Sequence, residues 1–257
     1  MANELANKDT FSGALTVKLE SMAPALPKDF NQARFVNNAL ALLNDNPDLA
    51  KFGQQQIMMG LIRGATLGLD FYSKEAFLVP YGSKLQYQTS YTGSVKLAKK
   101  YSIRPIKDIY AKIVREGDEF EEVVIGGEQT VNFKPKAFND GKIIGAFAVC
   151  LFRDGGMQYD VMSLSELENT RKHSKASNSP AWRDFTSEMY KKTVIKRLCK
   201  HIEIDFENVD QLRVYDEETA IETDPRVTAE QEIAEHANMA ELDDGEILDE
   251  NGRPIFA

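Results

Sequence analysis

The sequence predicts an α+β protein: a mainly antiparallel sheet with flanking helices, a single core domain, and a flexible acidic C-terminal tail. Three observations lead there. Helical apolar periodicity marks residues 31–67 and 181–202, Gly-punctuated strand-like runs fill residues 76–162, and acidic residues crowd the C-terminal end. The 257 residues suffice for one large or two ordinary domains, and 42% hydrophobic with 28% charged residues is the balance of a globular chain. The division expected is an N-terminal arm (1–30), a core (31–205) and a tail (206–257).

Residues 1–30 are polar and weakly periodic, with Pro24 and Pro27 near their end, and read as a loosely held flexible arm. A helix is expected from Asn31 to Leu43, with Phe35, Val36, Ala39, Leu42 and Leu43 on one face. Asn46-Pro47 opens a second helix that runs to Leu67, with Gly68 as its stop. Residues 76–81 and 84–89 flank Gly82-Ser83 as a hairpin, and Pro80, lacking an N–H, places its strand at an edge or bulge. A short helix follows over 92–101. Strands are expected at 106–114, 119–124 and 129–133, then a hairpin of 143–152 with 157–162 turning at Asp154-Gly155-Gly156. Ser163-Leu164-Ser165-Glu166 is a capping box for a helix to Lys172. After a mobile Ser/Asn-rich stretch at 173–179, Ser179-Pro180 starts a helix over 181–202 that turns Phe185, Met189, Val194 and Leu198 to the core. Trp182, the single Trp, reads as a core anchor. Beyond Asn208 only a short helix at Thr228-Ala229-Glu230-Gln231 interrupts the tail.

The net charge of −9 is unevenly placed. From Glu203 onward there are 18 acidic and 3 basic residues, whereas Met1 to Ile202 has 22 acidic and 28 basic. Lys84 to Arg115 holds eight basic residues against Asp108 alone, and Arg171 to Lys200 holds nine against Asp184 and Glu188. A basic body with an acidic end suits a polyanion ligand.

Several chemistries are unsupported. There is no phosphate-cradling Gly-rich motif, no nucleophile elbow, and too little Cys and His for a zinc site. The cluster Asp118-Glu119-Phe120-Glu121-Glu122 lies on one strand, whereas a metal-dependent nuclease needs carboxylates converging from separate strand ends. No cofactor is expected. No apolar run approaches a membrane span, no signal-peptide pattern opens the chain, and Cys150 and Cys199 read as reduced cytosolic thiols.

Binding a strand without regard to sequence takes cations for phosphates and flat side chains for bases. The first cluster offers Lys84, Lys96, Lys99, Lys100, Arg104 and Lys112 beside Tyr87 and Tyr91. The second offers Arg171, Lys172, Lys175, Lys191, Lys192, Lys196 and Arg197, with Lys192, Lys196 and Lys200 in an i, i+4, i+8 row. A competing reading is a non-catalytic phage structural or scaffolding protein whose basic clusters are incidental; a metal-dependent nuclease is a third.

The same segments carry a resemblance. Gly68-Leu69, Phe77-Leu78-Val79-Pro80-Tyr81 and Tyr91-Thr92-Gly93, leading into Leu97-Ala98-Lys99, resemble the front motif of phage RecT-type single-strand annealing proteins. Ser179-Pro180-Ala181-Trp182 with Glu188 to Leu198 resembles their rear motif. Relatives tend to carry Gly-Tyr-Lys/Arg-Gly where this chain has Ser90-Tyr91-Thr92-Gly93, so position 92 lacks a cation, and His201-Ile202-Glu203 replaces a leucine-proline ending. The resemblance implies an ATP-independent, non-enzymatic recombinase of the host cytoplasm that coats single-stranded DNA. It also implies rings or helical filaments of the protein, annealing to duplex, and a phage 5′→3′ exonuclease and host single-strand binding protein as partners.

Overall fold

The computed structural model describes residues 2–174 and 177–223. In chain order the elements are α1 (Ala2–Ser21), α2 (Gln32–Asp45), α3 (Gly53–Leu67), β1 (Ala76–Tyr81), β2 (Lys84–Thr89), α4 (Tyr91–Tyr101), β3 (Ile106–Arg115), β4 (Glu119–Ile125), β5 (Glu128–Lys134), β6 (Ile143–Phe152), β7 (Met157–Ser163), α5 (Leu164–His173), α6 (Pro180–Asp184), α7 (Thr186–Lys200) and α8 (Val209–Thr223). All strand pairing is antiparallel, in three sheets among the described residues: β1-β2, β3-β6-β7 and β4-β5. The α+β expectation holds.

Two hydrophobic cores flank α4. The first gathers Phe11, Leu15 and Leu19 of α1, Phe35 and Val36 of α2, Leu61 and Ala65 of α3, and Leu97 and Tyr101 of α4. The second lies between the β3-β6-β7 sheet and α5, α6 and α7, and takes Ala98 of α4 with Trp182, Tyr190, Val194 and Leu198. Strand β6 is buried on both faces, which is why residues 143–152 read as a nearly unbroken apolar run. Its Ala146, Ala148 and Cys150 meet the helices, while Phe147 and Val149 meet the β4-β5 hairpin through Phe120 and Phe133.

Gly68 ends α3 in the left-handed region (φ 67°), and the N–H of Leu69 donates to Gly64. Gly82 (φ 55°) closes the first hairpin between paired Tyr81 and Lys84. The capping box at Ser163 and Glu166 forms in both directions.

Other expectations need correction. The N-terminal arm is helix α1, held by the buried row Phe11, Leu15, Leu19, whose i, i+4, i+8 spacing the polar composition obscured. The helix expected from Pro47 to Leu67 is a 3₁₀ segment, Pro47–Phe52, broken from α3 at Gly53 (φ 73°). Asn46 does not cap it with its side chain; its Nδ2 donates back to Leu42. The helix expected over 181–202 breaks at Phe185, whose backbone leaves the helical region (φ −128°, ψ 40°). Phe185 is 64% exposed rather than in the core. The core extends past residue 205: Gln211 of α8 is fully buried and donates to the Tyr101 hydroxyl, and Val214 and Tyr215 pack on the first core. The helix expected at Thr228 lies outside the described residues. No described helix is long and apolar enough to cross a membrane.

Candidate nucleic-acid interface

The candidate interface centres on α4 and α7, which carry Lys96, Lys99 and Lys100 of the first basic cluster and Lys191, Lys192, Lys196 and Arg197 of the second. They pack side by side in the same direction: Lys192 of α7 sits over the ring of Tyr91 at the start of α4, 5.4 Å from its centroid. At the other end Ser102 bridges Ile204, and the N–H of Asp205 donates to the carbonyl of Tyr101. Residues about 100 positions apart in the chain thus share one surface.

The start of α4 is fixed by hydrogen bonds from its own motif. Ser90 caps the helix, its Oγ accepting from the N–H of Gly93. Thr92 donates through Oγ1 to the carbonyl of Lys74, so the residue standing in the cation's place ties α4 to the loop between α3 and β1. Gly93 is required by crowding, since a Cβ there would lie 2.1 Å from the carbonyl oxygen of Glu75. In the same loop the Glu75 carboxylate accepts from the Asp70 N–H (2.8 Å) and from Lys96 Nζ (2.7 Å).

The candidate residues separate by what they touch. Lys96 is half-buried and donates to Glu75 and to the carbonyl of Gly68, which makes it an internal strut. Arg197 is another: its guanidinium binds both oxygens of Asp160 at 2.5 Å, the Val161 carbonyl and Glu166, joining α7 to β7 and α5. The Asp160 hydrogen bonds hold the Arg197 pKa above its ordinary value. Arg104 clamps the β6-β7 turn through Asp154 and the Gly155 carbonyl while lying over Phe152. Arg171 bonds the Ser177 carbonyl beneath the Trp182 ring. Lys100 pairs with Asp29; burial works against its charge, but the bonds to Asp29 and Tyr101 prevail and its pKa is raised.

Lys99 pairs with Asp108 (3.2 Å) and Lys191 with Glu188 (2.5 Å), and in both pairs the carboxylate is more exposed than Glu75 or Asp160. Such pairs exchange easily for phosphate. Lys84 and Lys172 are exposed, and Lys192, Lys196 and Lys200 are half-buried along α7. Lys112 is exposed on the other face of the β3-β6-β7 sheet, beside Phe147 and Val149, and has to be removed from the set. Lys175 lies outside the described residues.

Tyr87 has to be removed from the base-stacking set. It is 5% exposed, packed edge-on against Phe71 with its hydroxyl bonded to Thr89. Period-two alternation in β2 would have placed it on the core side. Exposed rings outside the candidate base-stacking set are Tyr72, Phe77, Phe138 and Phe185. The acidic cluster at 118–122 disperses: Asp118 accepts from the N–H groups of Arg115 and Lys136 and from Asn139, Glu119 pairs with Lys134, and Glu121 accepts from Asn132.

A paired set of cationic helices beside aromatic rings, in a sequence without a nucleotide cradle, is the equipment of a protein that handles nucleic-acid strands. Residues 33–232 match the RecT family. Over 216 residues the chain is 30% identical to Protein RecT of Escherichia coli (strain K12), covering 80% of this chain and 79% of that one. The chain belongs to the RecT family and is a DNA-recombination protein of the single-strand-annealing kind.

Proposed function

We propose that this protein binds single-stranded DNA and anneals complementary strands without ATP, as an oligomer or filament, in phage homologous recombination. Its partners in this reading are single-stranded DNA, the annealed duplex, further copies of itself, a phage 5′→3′ exonuclease and the single-strand binding protein of the host cytoplasm. What supports the reading is the placement of Lys192 over Tyr91, which brings a cation of the rear motif to an aromatic ring of the front motif.

Annealing breaks no covalent bond. One strand must be held with its phosphates neutralised and its base edges open while a second finds it. Pairing then releases about 1.4 kcal/mol per stacked step, so the protein need only offset the ordering of the strand and phosphate repulsion. Lys99, Lys191, Lys192 and Lys196 of α4 and α7 are the proposed backbone contacts, with Lys84 and Lys172 beyond them and Tyr91 as the ring beside Lys192.

The test is to mix the purified protein with two complementary oligonucleotides in the absence of ATP and metal. Accelerated duplex formation supports the proposal. Inertness would favour a structural role for the basic clusters, and shortened strands would favour a nuclease.

A further inference from the structure

The β1-β2 hairpin has two unlike faces. Alternation sends Ala76, Leu78, Leu85 and Tyr87 inward to the first core, where Leu78 fits against Gly60 of α3. Gln56 of α3 fastens the turn, donating to the Ser83 carbonyl and accepting from the Leu85 N–H. The outward face carries Phe77, Val79 and Tyr81 of β1 opposite Gln88, Gln86 and Lys84 of β2. Phe77 is 44% exposed, Lys84 is exposed, and the other four are half-buried. The Tyr81 hydroxyl accepts from Gln88 Nε2 (2.7 Å), and Gln88 is the cross-strand partner of Phe77, so both rings lie along one surface.

Two observations say what this face takes. First, residues 76–107 contain no Asp or Glu against six Lys and Arg, and Glu75, the acid just before β1, is already bound to Lys96. An aromatic surface in a segment of cations without acids suits a polyanion that carries flat groups, which is a nucleic-acid strand. The same hairpin of a second copy would set Lys84 against Lys84 with no acid to relieve the repulsion. Second, the hairpin is continuous with the interface already described. Thr89 ends β2, Ser90 caps α4, and Tyr91, beneath Lys192, stands three residues after Gln88.

We infer that the outward face of the β1-β2 hairpin is a base-stacking platform, on which Phe77 and Tyr81 take the flat faces of bases whose phosphates are neutralised along α4 and α7. A ring stacked on a base covers its π-face and leaves its pairing edge free, the state that annealing requires. Lys84, at the turn, is the platform's own phosphate contact. The inference rests on the single-strand binding in the proposed function and names where the bases, as distinct from the phosphates, are held.

The test titrates full-length wild type, Phe77→Ala and Phe77→Tyr with a mixed-sequence oligonucleotide and with an abasic strand of the same length, which keeps the phosphates and lacks the bases. Phe77→Ala should bind the base-bearing strand about fivefold or more weakly, since it forfeits base–aromatic stacking. It should keep wild-type affinity for the abasic strand and an unchanged slope of log K against log salt, because no cation is removed. Phe77→Tyr retains a ring and should bind both strands as wild type does. Equal losses on the two strands would overturn the platform and give the ring a structural role. Wild-type binding of both strands by Phe77→Ala would overturn it as well, and smaller species of that variant in sedimentation would then assign the face to a second copy. Wild type that binds neither strand would overturn the proposed function itself, and the platform with it.

Discussion

Lys196 and Arg197 are adjacent on α7, and their substitutions should separate. Arg197→Ala strands the Asp160 carboxylate, which is only 13% exposed. A loss of about 2 kcal/mol is expected, lowering Tm by roughly 4–8 °C for a chain of this size. Lys192→Ala and Lys196→Ala should each flatten the slope of log K against log salt by about 0.7 on single strands. Calorimetry and salt titration of the three variants check both halves. The thiols make a second expectation. Burial pushes Cys150 up to about 11 and Cys199 up to about 12, so thiolate is scarce at pH 8. A thiol reagent should modify neither in the native protein and both in denaturant, on the timescale of unfolding. At this scale the sequence identified where cations cluster. It could not say which are struts, because the partners that decide it (Glu75 for Lys96, Asp160 for Arg197) come from distant segments.

At the level of elements, α4 is held against the loop between α3 and β1 with no room to spare. Gly93→Ala drives a methyl into the Glu75 carbonyl, and the backbone must shift to admit it. We expect a loss of about 2 kcal/mol, with weakened DNA binding because Tyr91 moves with the helix; a thermal melt and an oligonucleotide titration measure both. The start of α5 gives a pH expectation. Bonds from the Ser163 backbone and hydroxyl, and then Arg197, hold the Glu166 carboxyl below its ordinary 4.5. A depressed carboxylate stabilises the fold fully above that ordinary value and loses its contribution as pH falls through the lowered one. Ser163→Ala should shrink the stability lost between neutral pH and about pH 3, seen in denaturant melts across that window. Caps and turns of this kind were legible because their residues act locally. The breaks at Gly53 and Phe185 were not, since apolar periodicity runs straight through both, although the left-handed Gly53 (φ 73°) marks one of them locally.

For the whole molecule, charge is the relevant property. Residues 224–257 hold ten acidic and two basic side chains, and removing them takes the formal charge from −9 to −1. Truncation after Thr223 should tighten DNA binding if that segment competes for the basic surface; unchanged affinity would assign it to partner docking. A cut at Asn208, which composition alone suggests, would remove buried Gln211 and unsettle the core.

The meeting of Tyr91 with Lys192, and of Ser102 with Ile204, sets when the protein becomes competent. A nascent polypeptide emerging from the ribosome has its first basic segment long before the second, and the surface is complete only once both have emerged. Fragments released early by premature termination should therefore be poor competitors for DNA, and the appearance of binding during synthesis should be abrupt, late and tied to folding of the last helices.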